Sequence, residues 1–454
     1  MGPGTTDDPY LLSVDDVEPA PSRLLDTLKR LGPGLVTASA VVGTGELIAT
    51  PVLGAENGYS LLWLVILSCV IKVVVQNELG RYTIGTGETG LEALNRLPGP
   101  RLGVSWVLWL WLCMYTTTLM TQSSMLAGIA EVMNRIFPSV SIPVWVWTTT
   151  IGTIILLVVG RYGFIEKVSI SLVVCFTLVT VGAAHVLLLR PEYFSWGRVA
   201  DGLLFHLPQG GLVTAAAVLG ITGVGSADLI NYPYWCIEKG YARYTGPRDE
   251  TPAWLSRANG WIRVMGLDVG VSVVVYTFAT VAFYLLGAGI LHGLGVVPEG
   301  TETIRALSNI YTETLGGWSS YLFLAGAVAV LYSSLFAGTA AAARPYADFV
   351  RLLGGYDRHD SVARFRYIQI FSVVLLLIPV LYYVLLREPV LMVKIGGVAQ
   401  ALMLPIIGAA TLYLRYRHLP KKILPNGWIT LALWITAAVT AVMMGYSVLR
   451  QLGL

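Results

Sequence analysis

Two carboxylates stand where carboxylates are costly: Glu46, which closes Gly43-Thr44-Gly45-Glu46, and Asp228, which closes Gly223-Val224-Gly225-Ser226-Ala227-Asp228, each inside a long apolar stretch. An acidic side chain at the centre of a membrane helix costs about 2.5 to 3.5 kcal/mol even on the lenient insertion scale, so something must offset the charge. A bound cation, a proton or a fixed basic partner would do so, and each is a different chemistry. Lys72 and Lys394 are the basic residues inside apolar stretches, and a static ion pair with either would leave the carboxylates nothing to move. The glycines point the other way. They let backbone unwind at membrane depth, which is tolerated only where the freed N–H and C=O groups face a cavity or a ligand.

Oxygen donors surround the pair: Thr44, Thr50, Thr222, Ser226 and Asn231 nearby, Gln122 and Ser123 in the third apolar run, and Gln400 in the tenth. Hydroxyls, carbonyls and carboxylates suit magnesium, calcium or manganese rather than metals that prefer imidazole or sulfur. The expected substrate-binding set is therefore Glu46, Asp228, Gly43, Thr44, Gly45, Thr222, Ser226 and Gln400, with Glu46 and Asp228 as the ligands if a metal is carried. Asp268, Glu78 and His185 are secondary candidates for a proton path. Glu78 also sits three residues before Arg81, where a local pair on one helical face explains it equally, and His185 lies near the end of its run.

The elements that must position these residues are long and apolar. The 454-residue chain is 55% hydrophobic and 13% charged, and its mean hydropathy of +0.68 is far from that of a soluble domain. A bilayer core of roughly 30 Å demands about 20 apolar residues per helix. Eleven such runs emerge, near 34–56, 59–80, 104–133, 143–160, 166–189, 211–236, 264–291, 318–343, 367–386, 388–414 and 427–449. With the N-terminus inside, 22 of the 30 Lys and Arg fall on the cytoplasmic side and six (Arg135, Arg190, Arg198, Arg305, Arg387, Arg450) outside, which predicts a cytoplasmic N-terminus and an extracytoplasmic C-terminus in a prokaryotic inner membrane.

Residues 1–33 read as a cytosolic tail, since they lack the basic-then-apolar order of a signal peptide. Residues 34–450 read as one membrane domain. The four cysteines lie in apolar runs without metal-type spacing and are expected as core filler, and the tryptophans as interfacial or lipid-facing residues. No phosphate loop, nucleophile elbow or metalloprotease helix appears, which argues against an enzyme. No cofactor is implied, and a net charge of +3 says nothing for nucleic acid.

An internal repeat explains the paired interruptions. Gly34-Leu35-Val36-Thr37-Ala38-Ser39-Ala40-Val41-Val42-Gly43 recurs as Gly211-Leu212-Val213-Thr214-Ala215-Ala216-Ala217-Val218-Leu219-Gly220, identical at eight of ten positions. Each copy opens a half: repeat one about 34–190, repeat two about 211–415, with run 427–449 as an addition. Corresponding broken helices in two halves are the best sequence pointer to a transporter's substrate site near the bilayer midplane.

The chain resembles the NRAMP family of proton-coupled divalent-metal transporters. Gly32-Pro33-Gly34 precedes the first broken run, and Gly58-Tyr59-Ser60-Leu61-Leu62-Trp63 opens the second. Gln76-Asn77-Glu78-Leu79-Gly80-Arg81-Tyr82-Thr83-Ile84-Gly85-Thr86-Gly87 closes the second, and Ser333-Ser334-Leu335-Phe336-Ala337-Gly338-Thr339-Ala340-Ala341 occupies the eighth. The resemblance implies an all-α LeuT-like fold of eleven transmembrane helices in a 5+5 inverted repeat plus one, with helices one and six broken, working by alternating access. The family's Asp-Pro-Gly-Asn is Gly43-Thr44-Gly45-Glu46 here, its Met-Pro-His aligns with Ala227-Asp228-Leu229, and its tenth-helix glutamine falls near Gly397, with Gln400 a turn away. Two substrates fit this divergence: a hard divalent cation, magnesium or manganese, partly hydrated; or a small polar or cationic organic solute, with the carboxylates taking up the coupling proton.

Overall fold

The computed structural model describes residues 8–451 apart from 42, 44, 160–161, 207–215, 217, 221, 299–302 and 426. Helices occupy every apolar run. The first is split into α1 (Pro33–Val41), a π-helical turn Gly45–Ala49 and α2 (Thr50–Asn57); α3 (Leu62–Thr86), α4 (Trp106–Ile136), α5 (Ile142–Val159) and α6 (Tyr162–Leu187) follow. The sixth run is helical at Val218–Gly220, opens at 222–225 and resumes as α7 (Ser226–Glu238). Then come α8 (Pro252–Leu286), α9 (Ser319–Leu352), α10 (Ser361–Leu386), α11 (Pro389–Arg417) and α12 (Gly427–Gln451). Six helical stretches among the described residues are long and apolar enough to cross a bilayer, so the chain is a multi-pass membrane protein. Of the second copy of the ten-residue repeat, only Ala216, Val218, Leu219 and Gly220 lie within the described residues.

Local chemistry sets the ends. A Thr251 side chain accepting from Trp254 N, with Pro252 at the first helical position, starts α8, and Gly87 at φ 72° closes α3 by donating its N–H to Thr83 O. Residues 239–263 are polar, yet little of that stretch is loop: Tyr241–Thr245 is a short helix and α8 begins at Pro252. The second half of that stretch is a helical extension of α8 that buries Trp254 and Trp261, while Arg257 donates to Thr245 O at 3.0 Å. Likewise α9 runs past residue 343 to Leu352, carrying Arg344 and Arg351.

The centre of the bundle is α3, α4, α8 and α11. α4 lies along α11, α8 lies along α3 and along both halves of the first broken helix, and α12 covers α3 and α11 from outside. Lipid takes the place of water on the outer faces, where Val174, Phe278, Leu385 and Trp428 stand exposed. Tryptophan is not confined to interfaces: Trp111 is fully buried against Tyr115, Tyr346 and Phe349. Nor are all cysteines core filler, because Cys69 and Cys236 are buried but Cys113 is exposed on the outer side of α4; the Cys175 side chain lies outside the described residues.

The leading segment is part of the fold. Asp8 pairs with Arg364 at 2.6 Å, Tyr10 donates to Glu238 at 2.9 Å beneath the Arg364 guanidinium, and Trp261 donates to Glu18 O at 2.9 Å. Residues 8–20 thus lie across the ends of α7, α8 and α10.

Candidate functional site

The first break forms where α1 ends at Val41 and the backbone resumes as the turn Gly45–Ala49. Glu46 sits in that turn, fully buried. Its Oε1 accepts from Thr280 Oγ1 on α8 at 2.9 Å and from Gly223 N, in the second break, at 3.4 Å, while Oε2 is buried with no hydrogen-bond partner among the described residues. Gly43 is buried here. Of Gly45 only the backbone is described, and Thr44 lies outside the described residues.

The second break is held from α11 and α3. Gln400 on α11 accepts from Ala227 N through its side chain at 3.1 Å and from Ser226 Oγ through its carbonyl at 2.6 Å, so it satisfies the start of α7, where helical N–H groups have no internal partner. A Cβ on Gly220 would stand 1.9 Å from Gly397 O, so only glycine allows the first half of this helix to lie against the α11 backbone. Asp228, in the first turn of α7, accepts from Gly225 N at 3.2 Å and is only half-buried. The Thr222 hydroxyl is buried without a partner among the described residues.

Asp228 faces a cavity of about 80 Å³ among α1, α4, α7, α9 and α11. Asn231 lies one turn along α7 on the same face. Its amide nitrogen donates to Tyr115 Oη at 2.9 Å, which leaves a buried Oδ1 without a partner among the described residues. Gln122 and Gln400 complete a wall rich in oxygen acceptors, beside the hydroxyls of Thr118 and Thr121 and the thioether of Met125. A wider hollow of about 460 Å³ lies beyond the end of α2, lined by Tyr59, Arg198, Asp201, His206 and His292.

The expected residues thus divide. Asp228 and Gln400 line the cavity, and Ser226 and Thr222 belong to the break behind it. Glu46 does not line it: it stands on the far side of the second break, against α8. The basic partners considered for the carboxylates are engaged elsewhere. Lys394 pairs with Glu56 at 2.6 Å, and Lys72 donates to Leu219 O at 2.8 Å and Thr222 O at 2.5 Å.

The secondary candidates are placed apart. Asp268 accepts from Gly32 N at 2.9 Å and Gly34 N at 2.5 Å, which makes it a cap for the start of α1. Glu78 pairs with Arg415 at 2.7 Å and with Arg81 at 3.4 Å, and His185 is exposed at the end of α6. Reading the sequence alone missed Met125, Tyr115, Thr118 and Thr121. Their i, i+3, i+6 and i+10 spacing along α4 is the signal that could have marked one face.

The comparisons with known proteins agree with this architecture. A manganese transporter from Eremococcus coleocola, solved with an aromatic bis-isothiourea substituted compound, superposes with a TM-score of 0.67 at 18% identity over 97% of this chain and 91% of that one. MhsT in complex with L-phenylalanine superposes at 0.55 and 14% identity, covering 95% and 99%. At such identities the superposition speaks for the fold, which is all-α and LeuT-like. In sequence, the divalent metal cation transporter MntH of Yersinia pestis (strain Pestoides F) is 24% identical over 383 residues, 78% of this chain and 86% of that protein. An uncharacterized protein of Pasteurella multocida (strain Pm70) is 25% identical over 303 residues, a match spanning 64% of this chain and 63% of that protein. The profile of Natural resistance-associated macrophage protein-like (Nramp) proteins matches residues 34–450, more than nine-tenths of the chain, and the chain belongs to that family.

Proposed function

We propose that this protein is an alternating-access transporter of a hard divalent cation, manganese or magnesium, which enters the cavity partly hydrated. The observation that carries the reading is the α7 face. A half-buried carboxylate, Asp228, and an unpartnered buried amide oxygen, Asn231 Oδ1, stand one turn apart on a cavity between two broken helices. Oxygens that lack donors in a low-dielectric site favour a cation, and magnesium in particular gives up its waters reluctantly. Family membership and the divalent-metal transport named for MntH support the cation class.

In this reading Asp228 is the charged ligand, with the Asn231, Gln122 and Gln400 amides and the Ser226 and Thr222 oxygens of the break as its neighbours. Glu46, closed off behind the break, carries the coupling proton. The N-terminus is cytoplasmic and the C-terminus extracytoplasmic in the cell membrane. Transport, with no enzymatic step, is the activity.

One observation favours a second reading. Among the described residues no three His, Cys, Asp or Glu side chains converge on a point, so the cavity offers a single carboxylate, which suits a small polar or cationic organic solute. Thermal shift of the purified protein separates the two. Millimolar Mn²⁺ or Mg²⁺ raises Tm under the cation reading, and Asp228→Asn removes the rise. Silence toward every divalent ion, with a response to small nitrogenous solutes, replaces the first reading by the second.

A further inference from the structure

Lys72 has a role that none of the above assigns. It lies in the middle of α3, fully buried, and its ammonium has no carboxylate within ion-pair distance among the described residues. An uncompensated ammonium at that depth persists only if the surroundings supply negative charge. They do so through backbone. Nζ donates to Leu219 O at 2.8 Å and Thr222 O at 2.5 Å, the carbonyls where the first half of the sixth helix unwinds. The last carbonyls of a helix have no internal donors and carry the negative end of its dipole.

The surroundings are built around this contact. Ser68, one turn earlier on α3, donates to Thr222 O at 3.1 Å, so the same carbonyl receives two side-chain donors. Gly223, next in the chain, has φ 64°, and a Cβ there would stand 3.1 Å from Cys69 Cα, so the unwound stretch lies directly on α3. The Gly223 N–H points the opposite way, to Glu46. The Lys72 ammonium therefore sits on a half-helix C-terminus, and the amide that follows that terminus holds Glu46. Unwound carbonyls and half-helix C-termini are the groups with which broken-helix transporters coordinate a free monovalent cation.

We propose that the Lys72 ammonium is a tethered cation that permanently fills a monovalent-cation site at the second break, and that this protein therefore needs no sodium or potassium to keep that break in shape. Lys72 is a positioning residue. It acts through the Leu219 and Thr222 carbonyls on the backbone that carries Asp228. The inference rests on the reading of the second break as part of the transport site, but its test uses no transported substrate.

The experiment is the Tm of the full-length protein in detergent, in chloride salts of sodium, potassium, methylammonium and the bulky N-methyl-D-glucamine at equal ionic strength. Wild type and Lys72→Arg give the same Tm in all four. Lys72→Met is destabilised in N-methyl-D-glucamine and recovers by about 2 °C or more in at least one compact cation, rising with the logarithm of its concentration. If Lys72→Met does not accumulate folded, Lys72→Gln, which keeps two N–H donors and drops the charge, takes its place. A Tm for the neutral variant that is unchanged from wild type, or lowered equally in all four salts, overturns the proposal and makes Lys72 a plain structural donor. Such a failure leaves the Mn²⁺ response of wild type untouched, so the cation-transport reading is judged separately.

Discussion

The two helix breaks carry the same kind of residue and treat it differently. At the first, Glu46 is fully buried, held by Thr280 and the Gly223 amide, and faces α8. At the second, Asp228 is half-buried, held among the described residues by the Gly225 amide, and faces the cavity. A repeat in sequence has become a division of labour in space: one acid is shielded and the other is offered. In the proposed reading the shielded acid exchanges the proton, and the open carboxylate beside amide oxygens coordinates the cation.

Four measurements break or sharpen this contrast. Asp228→Asn has the largest expected effect: Mn²⁺ affinity from calorimetry falls by roughly 30-fold or more, because the one charge on the cavity is gone and the amides alone must hold a dication. An unchanged affinity would move the site elsewhere. Glu46→Gln is expected to leave Mn²⁺ affinity within about threefold while abolishing ion-driven acidification of liposomes, since the amide keeps the volume and cannot carry a proton. If affinity instead collapses as in Asp228→Asn, Glu46 is a ligand and the division fails.

Asn231→Ala removes the unpartnered oxygen and should weaken Mn²⁺ about 10-fold, the lower end of what one contact to a charged group contributes. It strands the Tyr115 hydroxyl as well, so Tyr115→Phe, expected to change affinity less than about threefold, is its control. The smallest effect belongs to Thr280→Val, which strips Glu46 of its side-chain donor. It should lower stability by about 1 to 2 kcal/mol in denaturant titration with affinity unchanged.

Much of this could be read from residue order. Glycines followed by a carboxylate announced both breaks, and uncharged runs announced the helices, because neither signal depends on what packs against them. The facing of each acid could not be read. Whether Glu46 meets α8 or the cavity turns on the rotation of a π-helical turn only five residues long, which no periodicity reports. Asp268 was ranked as a proton carrier because it is acidic in an apolar run, yet it caps α1 from 236 residues away, a contact visible only after folding. Lys72 reads in the sequence only as a candidate ion-pair partner for the acids, since backbone carbonyls leave no mark in a sequence. Glu78 was legible to the extent that its i, i+3 arginine is present, but its shorter bond is to the remote Arg415.

Glycine placement along α8 constrains how such a molecule can move. A Cβ on Gly34 would stand 2.7 Å from Asp268 O, one on Gly54 would stand 2.6 Å from Ala288 N, and one on Gly287 would stand 2.4 Å from Pro51 O. Both pieces of the severed first helix are therefore seated backbone to backbone on one continuous neighbour, the first near the middle of α8 and the second on the π-helical turn Gly287–Leu291 that continues it. The gap between them is splinted, and widening it requires α8 itself to bend.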